Sequence, residues 1–316
     1  MELRKRFPTL NLESILIDIT DRKGINEIFA IYRPEIVFHA AAYKHVPLLE
    51  KQGRVAIHNN IIGTNILANA AVKFETNKFV LISTDKAVNP ANLMGATKRV
   101  AEMICQNLNE KAKTKFITVR FGNVLDSAGS VVPLFRKQIQ EGGPLTVTHP
   151  EITRYFMSIP EASQLIIQAA LFGQGGEIFV LDMGEPIKIR YLAEQMVKLA
   201  GKSLGNDIEI LYTGLRPGEK LYEELFYKNE ELHPTEHNKI LLANASKVNS
   251  SFLIDLIEKI EHAYDECNEK LLYQFLQLLV PEYKNNFNCF FDTICVVNTQ
   301  SKVDMDTNID SVESVL

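Results

Sequence analysis

In the stretch STDKAVNPANLMGATK, residues 83–98, the groups that chemistry can use are Thr84, Asp85, Lys86, Met94 and Lys98. A carboxyl beside an amine supplies an acid and a base when burial and mutual charge tune their proton affinities. Met94 and Lys98 lie four apart in a helix expected from about Asn92 to Lys113, so they share one helical face. A thioether donates no proton, so Met94 can only pack. Taken singly, an Asp-Lys pair after a strand is more often a solvated turn and a helical methionine is more often core. Their joint spacing with Thr84 and Lys98 favours a site instead.

Such a site needs a scaffold that brings a strand end against a helix start. Short apolar runs at 14–19, 35–41, 78–83, 115–124 and 177–183 alternate with helical patterns near 22–32, 54–73, 92–113, 133–141 and 160–172. Strand and helix in alternation predict an α/β fold, a Rossmann-like doubly wound parallel sheet with helices on both faces. The segment 83–98 then begins at the C-terminal end of a strand, where open α/β sheets place their ligand crevice. After Gly184 the pattern changes to a helix, a short strand at 208–212, a turn-rich stretch and a helix near 249–264. The expected organisation is a Rossmann-like region at 1–183, a substrate lobe at 184–283 and a partly disordered tail at 284–316.

Composition excludes several classes of function. A net charge of −5 over 316 residues, with Lys and Arg scattered, provides no basic stripe for nucleic acid. No apolar run approaches the roughly 20 residues that span a bilayer, and the start lacks a signal-peptide core. A cytoplasmic chain with reduced thiols is expected. Its four cysteines form no CxxC pair and no His cluster at metal spacing, so no metal site is expected.

Six blocks in order carry a resemblance: HAAAYKHVPLLE (39–50), NNIIGTN (59–65), STDKAVNPANLMGATK, RFGNVLDSAGSVVPLF (120–135), TRYFMSIPEA (153–162) and RPGEKLYEEL (216–225). With them the chain resembles CapD-like nucleotide-sugar 4,6-dehydratases, among the extended short-chain dehydrogenases/reductases. The resemblance implies a lyase that uses NAD catalytically on UDP-N-acetylglucosamine in surface-polysaccharide biosynthesis. Hydride leaves C4, water departs from C5–C6, and the hydride returns to C6. It further implies Lys86 as base for the C5 proton, Asp85 as acid for the 6-hydroxyl, and Thr84 on the 4-hydroxyl. Met94 stands where many relatives carry tyrosine, an alternative found in the larger, membrane-anchored members. Lys98, His39, Ala40, Ala41, Asn60 and Asp18 fall on the cofactor side, and Asn123, Arg154, Arg216 and Glu219 on the nucleotide-sugar side. Asp126 replaces a glycine usual in its block.

The resemblance also places a strand, a Gly-rich phosphate loop and a second strand before the segment that matches residue 15, and none of these precedes it here. That reading leaves the strand at 35–41 as an unpaired sheet edge and makes a homo-oligomer or an N-terminal partner polypeptide possible. Three functions stay open: an NAD-dependent dehydratase, a non-catalytic remnant that keeps its nucleotide-sugar lobe, and a 4-epimerase.

Overall fold

Alternating apolar runs become a six-stranded sheet. The computed structural model describes residues 2–228, 230–244 and 249–284. The strands are β1 (Ile36–His39), β2 (Lys78–Ile82), β3 (Lys115–Arg120), β4 (Ile178–Leu181), β5 (Leu232–Pro234) and β6 (Ile240–Ala243), in spatial order β1-β2-β3-β4-β6-β5. β1 to β4 pair in parallel, and β6 and β5 close the far side antiparallel.

Helices cover both faces. The longer ones are α1 (Arg22–Tyr32), α2 (Thr64–Lys73), α3 (Leu93–Asn109), α4 (Val131–Gln140), α5 (Ile159–Phe172), α6 (Ile189–Leu199), α7 (Ser250–Asp265) and α8 (Glu269–Leu279). Successive strand residues point to opposite faces. Phe79, Leu81 and Phe116 therefore pack with α1, α2 and α3, while Val80, Ile117 and Val119 pack with α5. Each fully buried aliphatic or aromatic side chain among them stabilises by about 1.5–3 kcal/mol.

Two expectations are corrected. Residues 14–19 run without a ladder partner, and Ile15 and Leu16 are exposed. β1 pairs with β2 alone, so no described strand stands where 14–19 could bond, and β propensity without a partner makes no strand. The expected boundary at 183/184 also falls elsewhere. The smaller core joins α4, α6, the strand Leu145–Val147 and the strand Ile210–Tyr212. The stretch 240–283, read above as lobe, returns instead: β6 extends the main sheet, and the hairpin α7–α8 packs on the α2–α3 side through Leu256, Ile260, Leu272 and Leu276. Residues 1–283 form one compact unit. Beyond Lys284 the tail, with Cys289 and Cys295, lies outside the described residues. No helix among the described residues is long and apolar enough to cross a membrane.

Candidate active site

β2 ends beside β3, and the backbone there is stitched tightly. Ser83 N donates to Val119 O (2.8 Å) and Asp85 N to Phe121 O (3.0 Å) before the chain turns through a single 3₁₀ turn, Asp85–Ala87. α3 starts against this turn, capped by Asn92, whose Oδ1 accepts from Gly95 N at 2.8 Å. A Cβ on Gly95 would stand 2.1 Å from Lys86 O, so glycine is what lets the helix approach. Gly122 serves likewise, since a Cβ there would meet Tyr155 Cβ at 2.9 Å and Asp85 Oδ2 at 3.3 Å.

The turn gathers a charged cluster. Asp85 is fully buried, and its Oδ1 accepts from Thr84 Oγ1 (2.8 Å) and Lys86 Nζ (3.0 Å). Lys86 Nζ also donates to Asn123 Oδ1 (3.3 Å) and lies 3.9 Å from Glu223 Oε1. Arg154 Nη2 reaches Glu219 Oε1 at 3.4 Å and Glu223 Oε1 at 3.5 Å. Asp85 Oδ2 and Glu223 Oε2 are buried with no hydrogen-bond partner among the described residues. Burial opposes the charge on Lys86, yet Asp85 and then Glu223 outweigh it and hold the ammonium above the ordinary lysine range. Burial raises the proton affinity of Glu223, with Lys86 and Arg154 pulling the other way. Lys86 is thus protonated at rest, so its expected role as base requires that it first give up a proton.

A second pair is Lys98 of α3 with His39 of β1. Lys98 is buried without a hydrogen bond or ion pair among the described residues, and burial lowers its pKa to about 8. His39 closes β1, its Nε2 2.9 Å from Thr64 Oγ1 and its buried Nδ1 without a partner. Burial, then the nearby Lys98, lowers the imidazole to about 3, so it is neutral. Met94 is buried in the core cluster of α3. Ala40 and Ala41 are exposed at the strand end beside His39.

The remaining expected site residues are differently employed. Asn60 sits in a π turn, His58–Gly63, where its Oδ1 accepts from Tyr43 N and Asn59 Nδ2 and its Nδ2 donates to Tyr43 O and Thr97 Oγ1. All four positions are used, so Asn60 shapes the 40–44 loop and keeps no group for a cofactor. Asp18 turns its Oδ1 to Thr20 N and Oγ1 on the surface. Arg154, expected to grip a diphosphate, is held by two carboxylates and by Thr153 O (2.7 Å). Glu219 is taken by Thr148, Arg154 and Arg216 N, which leaves the exposed Arg216 side chain as the available cation of that loop. Asp126 has φ +60°, the left-handed region that accounts for a glycine there, and pairs with Arg136 at the surface (3.0 Å).

Sequence reasoning missed two groups. Glu223 had as its signal membership of the block RPGEKLYEEL. Behind the turn, Arg120 is wholly buried between Glu102 (2.8 Å) and Glu230 (2.9 Å), with Ser83 Oγ donating to Glu102 at 2.6 Å. The charges of Arg120 and Arg99 and the hydrogen bonds from Arg120 and Ser83 hold Glu102 near 2 against its burial.

Residues 1–245 match the family described as polysaccharide biosynthesis protein. The chain belongs to that family. Over 223 residues it is 58% identical to the capsular polysaccharide biosynthesis protein CapD of Staphylococcus aureus, an overlap of 70% of this chain and 37% of CapD. The chain thus spans little more than a third of that relative's length. The X-ray structure of Pen from Bacillus thuringiensis aligns with TM-score 0.69 at 32% identity, over 81% of this chain and 85% of Pen. DesIV of Streptomyces venezuelae, a dTDP-glucose 4,6-dehydratase solved with NAD and TYD, aligns with TM-score 0.63 at 19% identity, over 71% of this chain and 73% of its own, which shows a shared fold alone. The polysaccharide biosynthesis family member described here therefore has the Rossmann-type fold expected from its strand and helix rhythm.

Proposed function

We propose that this protein catalyses NAD-dependent 4,6-dehydration of a UDP-N-acetylhexosamine, UDP-N-acetylglucosamine, for polysaccharide biosynthesis. The observation that carries the reading is the Thr84–Asp85–Lys86 cluster, a buried carboxylate and an ammonium 3.0 Å apart at the C-terminal end of a parallel strand. Lys98 and His39 fit the cofactor's nicotinamide side: the buried, unpartnered His39 Nδ1 and the ammonium of the buried Lys98 would be met by a carboxamide and ribose hydroxyls. NAD held there would supply the hydride acceptor for C4 and the donor for C6.

The chain's own groups do the proton work. Thr84 Oγ1 receives the 4-hydroxyl proton and relays it to Asp85, its 2.8 Å neighbour. Asp85 then protonates the departing 6-hydroxyl. Lys86, once it is an amine, takes the C5 proton. Met94 contributes packing, and the exposed Arg216 attracts the diphosphate.

The test is proton NMR of the protein incubated with NAD and UDP-N-acetylglucosamine. The 4-keto-6-deoxy sugar is expected. Lys86→Ala and Asp85→Asn should each slow its formation by about 10²–10⁴-fold, as loss of a positioned acid or base does, and Met94→Ala far less. UDP-N-acetylgalactosamine as the product would replace the reading with an epimerase, and ligand binding without turnover with a remnant.

A further inference from the structure

We infer that Glu223 is the proton store of this site: it takes the proton of Lys86 while the sugar is oxidised and gives it back after water has left. The inference rests on the dehydratase reading and deepens it.

Proton counting leads to it. At rest Lys86 is an ammonium, and Asp85 is the carboxylate that accepts from it and from Thr84. Oxidation at C4 breaks the 4-hydroxyl O–H bond and delivers a second proton to the cluster. Met94, on the neighbouring helix, can hold none. Elimination then needs Asp85 protonated as acid and Lys86 neutral as base. Asp85 accommodates one of the two protons and a neutral Lys86 none beyond its amine, so one is left over. Glu223 is the third group that faces Lys86, its Oε1 at 3.9 Å and its Oε2 buried without a partner among the described residues.

The steps balance. The Lys86 N–H bond breaks as an O–H bond forms on Glu223, and the 4-hydroxyl proton passes through Thr84 to Asp85. The C5–H bond breaks toward Lys86, its electron pair becomes the C5–C6 double bond, and the C6–O bond breaks as Asp85 gives its proton to the leaving water. As hydride returns to C6, Lys86 returns its proton to C5 and recovers its own from Glu223. The 4-hydroxyl proton leaves in the water, and the site is back at rest.

The surroundings suit the task. Burial favours the protonated form of Glu223, whereas Lys86 and Arg154 facing it from the neighbouring segments, and Lys220 in its own loop, favour the carboxylate. Asp85 adds a like charge that raises proton affinity further. Opposed influences of this kind leave a carboxyl able to switch. Glu223 reaches the sugar only through Lys86, so it is a positioning residue.

Two measurements decide the matter. The carboxyl ¹³C signal of Glu223 in the native protein without ligands, assigned by its loss in Glu223→Asp, should be that of a carboxylate at neutral pH with a midpoint above the ordinary glutamate range. A Glu223 already protonated at neutral pH has no room for the proton and overturns the inference. In single turnovers, Glu223→Gln should oxidise C4 at close to the native rate, read from nicotinamide absorbance. It should form product about 10²-fold more slowly with KM unchanged, and Glu223→Asp should recover part of the loss. Native product formation in Glu223→Gln overturns the role of Glu223 and leaves the dehydratase reading standing. No product from the native protein overturns that reading and the inference with it.

Discussion

Lys98 shows what one buried charge costs a fold. Its ammonium is buried with no hydrogen bond or ion pair among the described residues, a costly arrangement in a protein without ligand. Lys98→Met keeps the stem and removes the charge. It should raise the melting temperature by roughly 5 °C, at about 2–4 °C per kcal/mol for a chain of this size, and weaken NAD binding measured by titration calorimetry. The sign with pH follows from the lowered pKa. Between about 8 and the ordinary 10.5 the unfolded chain holds a proton that the folded one has lost, so native stability rises with pH there. The advantage of Lys98→Met should narrow across that window, as melting curves at a series of pH values would show.

At the scale of elements, the site depends on how closely α3 meets the turn after β2. Gly95 sets that distance, because an added methyl would stand 2.1 Å from backbone Lys86 O, which no side-chain rotation relieves. Gly95→Ala should destabilise by about 1–3 kcal/mol in urea titration although alanine is the better helix former, and it should displace Lys86 from Asp85. Glu102 and Arg120, buried behind the turn, hold the ends of β2 and β3 from below. Nothing in local sequence marks them, since the partners are 18 residues apart and meet only in the sheet.

Across the whole molecule the weak side is the β1 edge. Among the described residues β1 pairs on one side only, and its Ile36 and Phe38 are 46% and 47% exposed. A row of open backbone groups flanked by apolar side chains is a template for edge-to-edge pairing. Phe38→Lys should lower light scattering at high concentration while leaving the melting temperature within about 2 °C, since the side chain removed is half in water already. A fall in stability without a fall in scattering would mean that the edge is covered in solution.

Sequence alone determined the parts that depend on short range. Period and propensity located α1, α3, α5 and the central strands, and the segment holding Thr84, Asp85, Lys86, Met94 and Lys98 was placed correctly at a strand end and helix start. Tertiary structure decided everything that depends on which groups meet. A strand exists only with a ladder partner, so 14–19 stayed unpaired. Arg154 looked like a free cation until Glu219 and Glu223 were found against it, and Asn60 looked like a ligand until its four hydrogen bonds were counted. Glu223 acquired its meaning in the same way: proton affinity is set by burial and by facing charges, and both come from residues distant in sequence, brought together only by the fold.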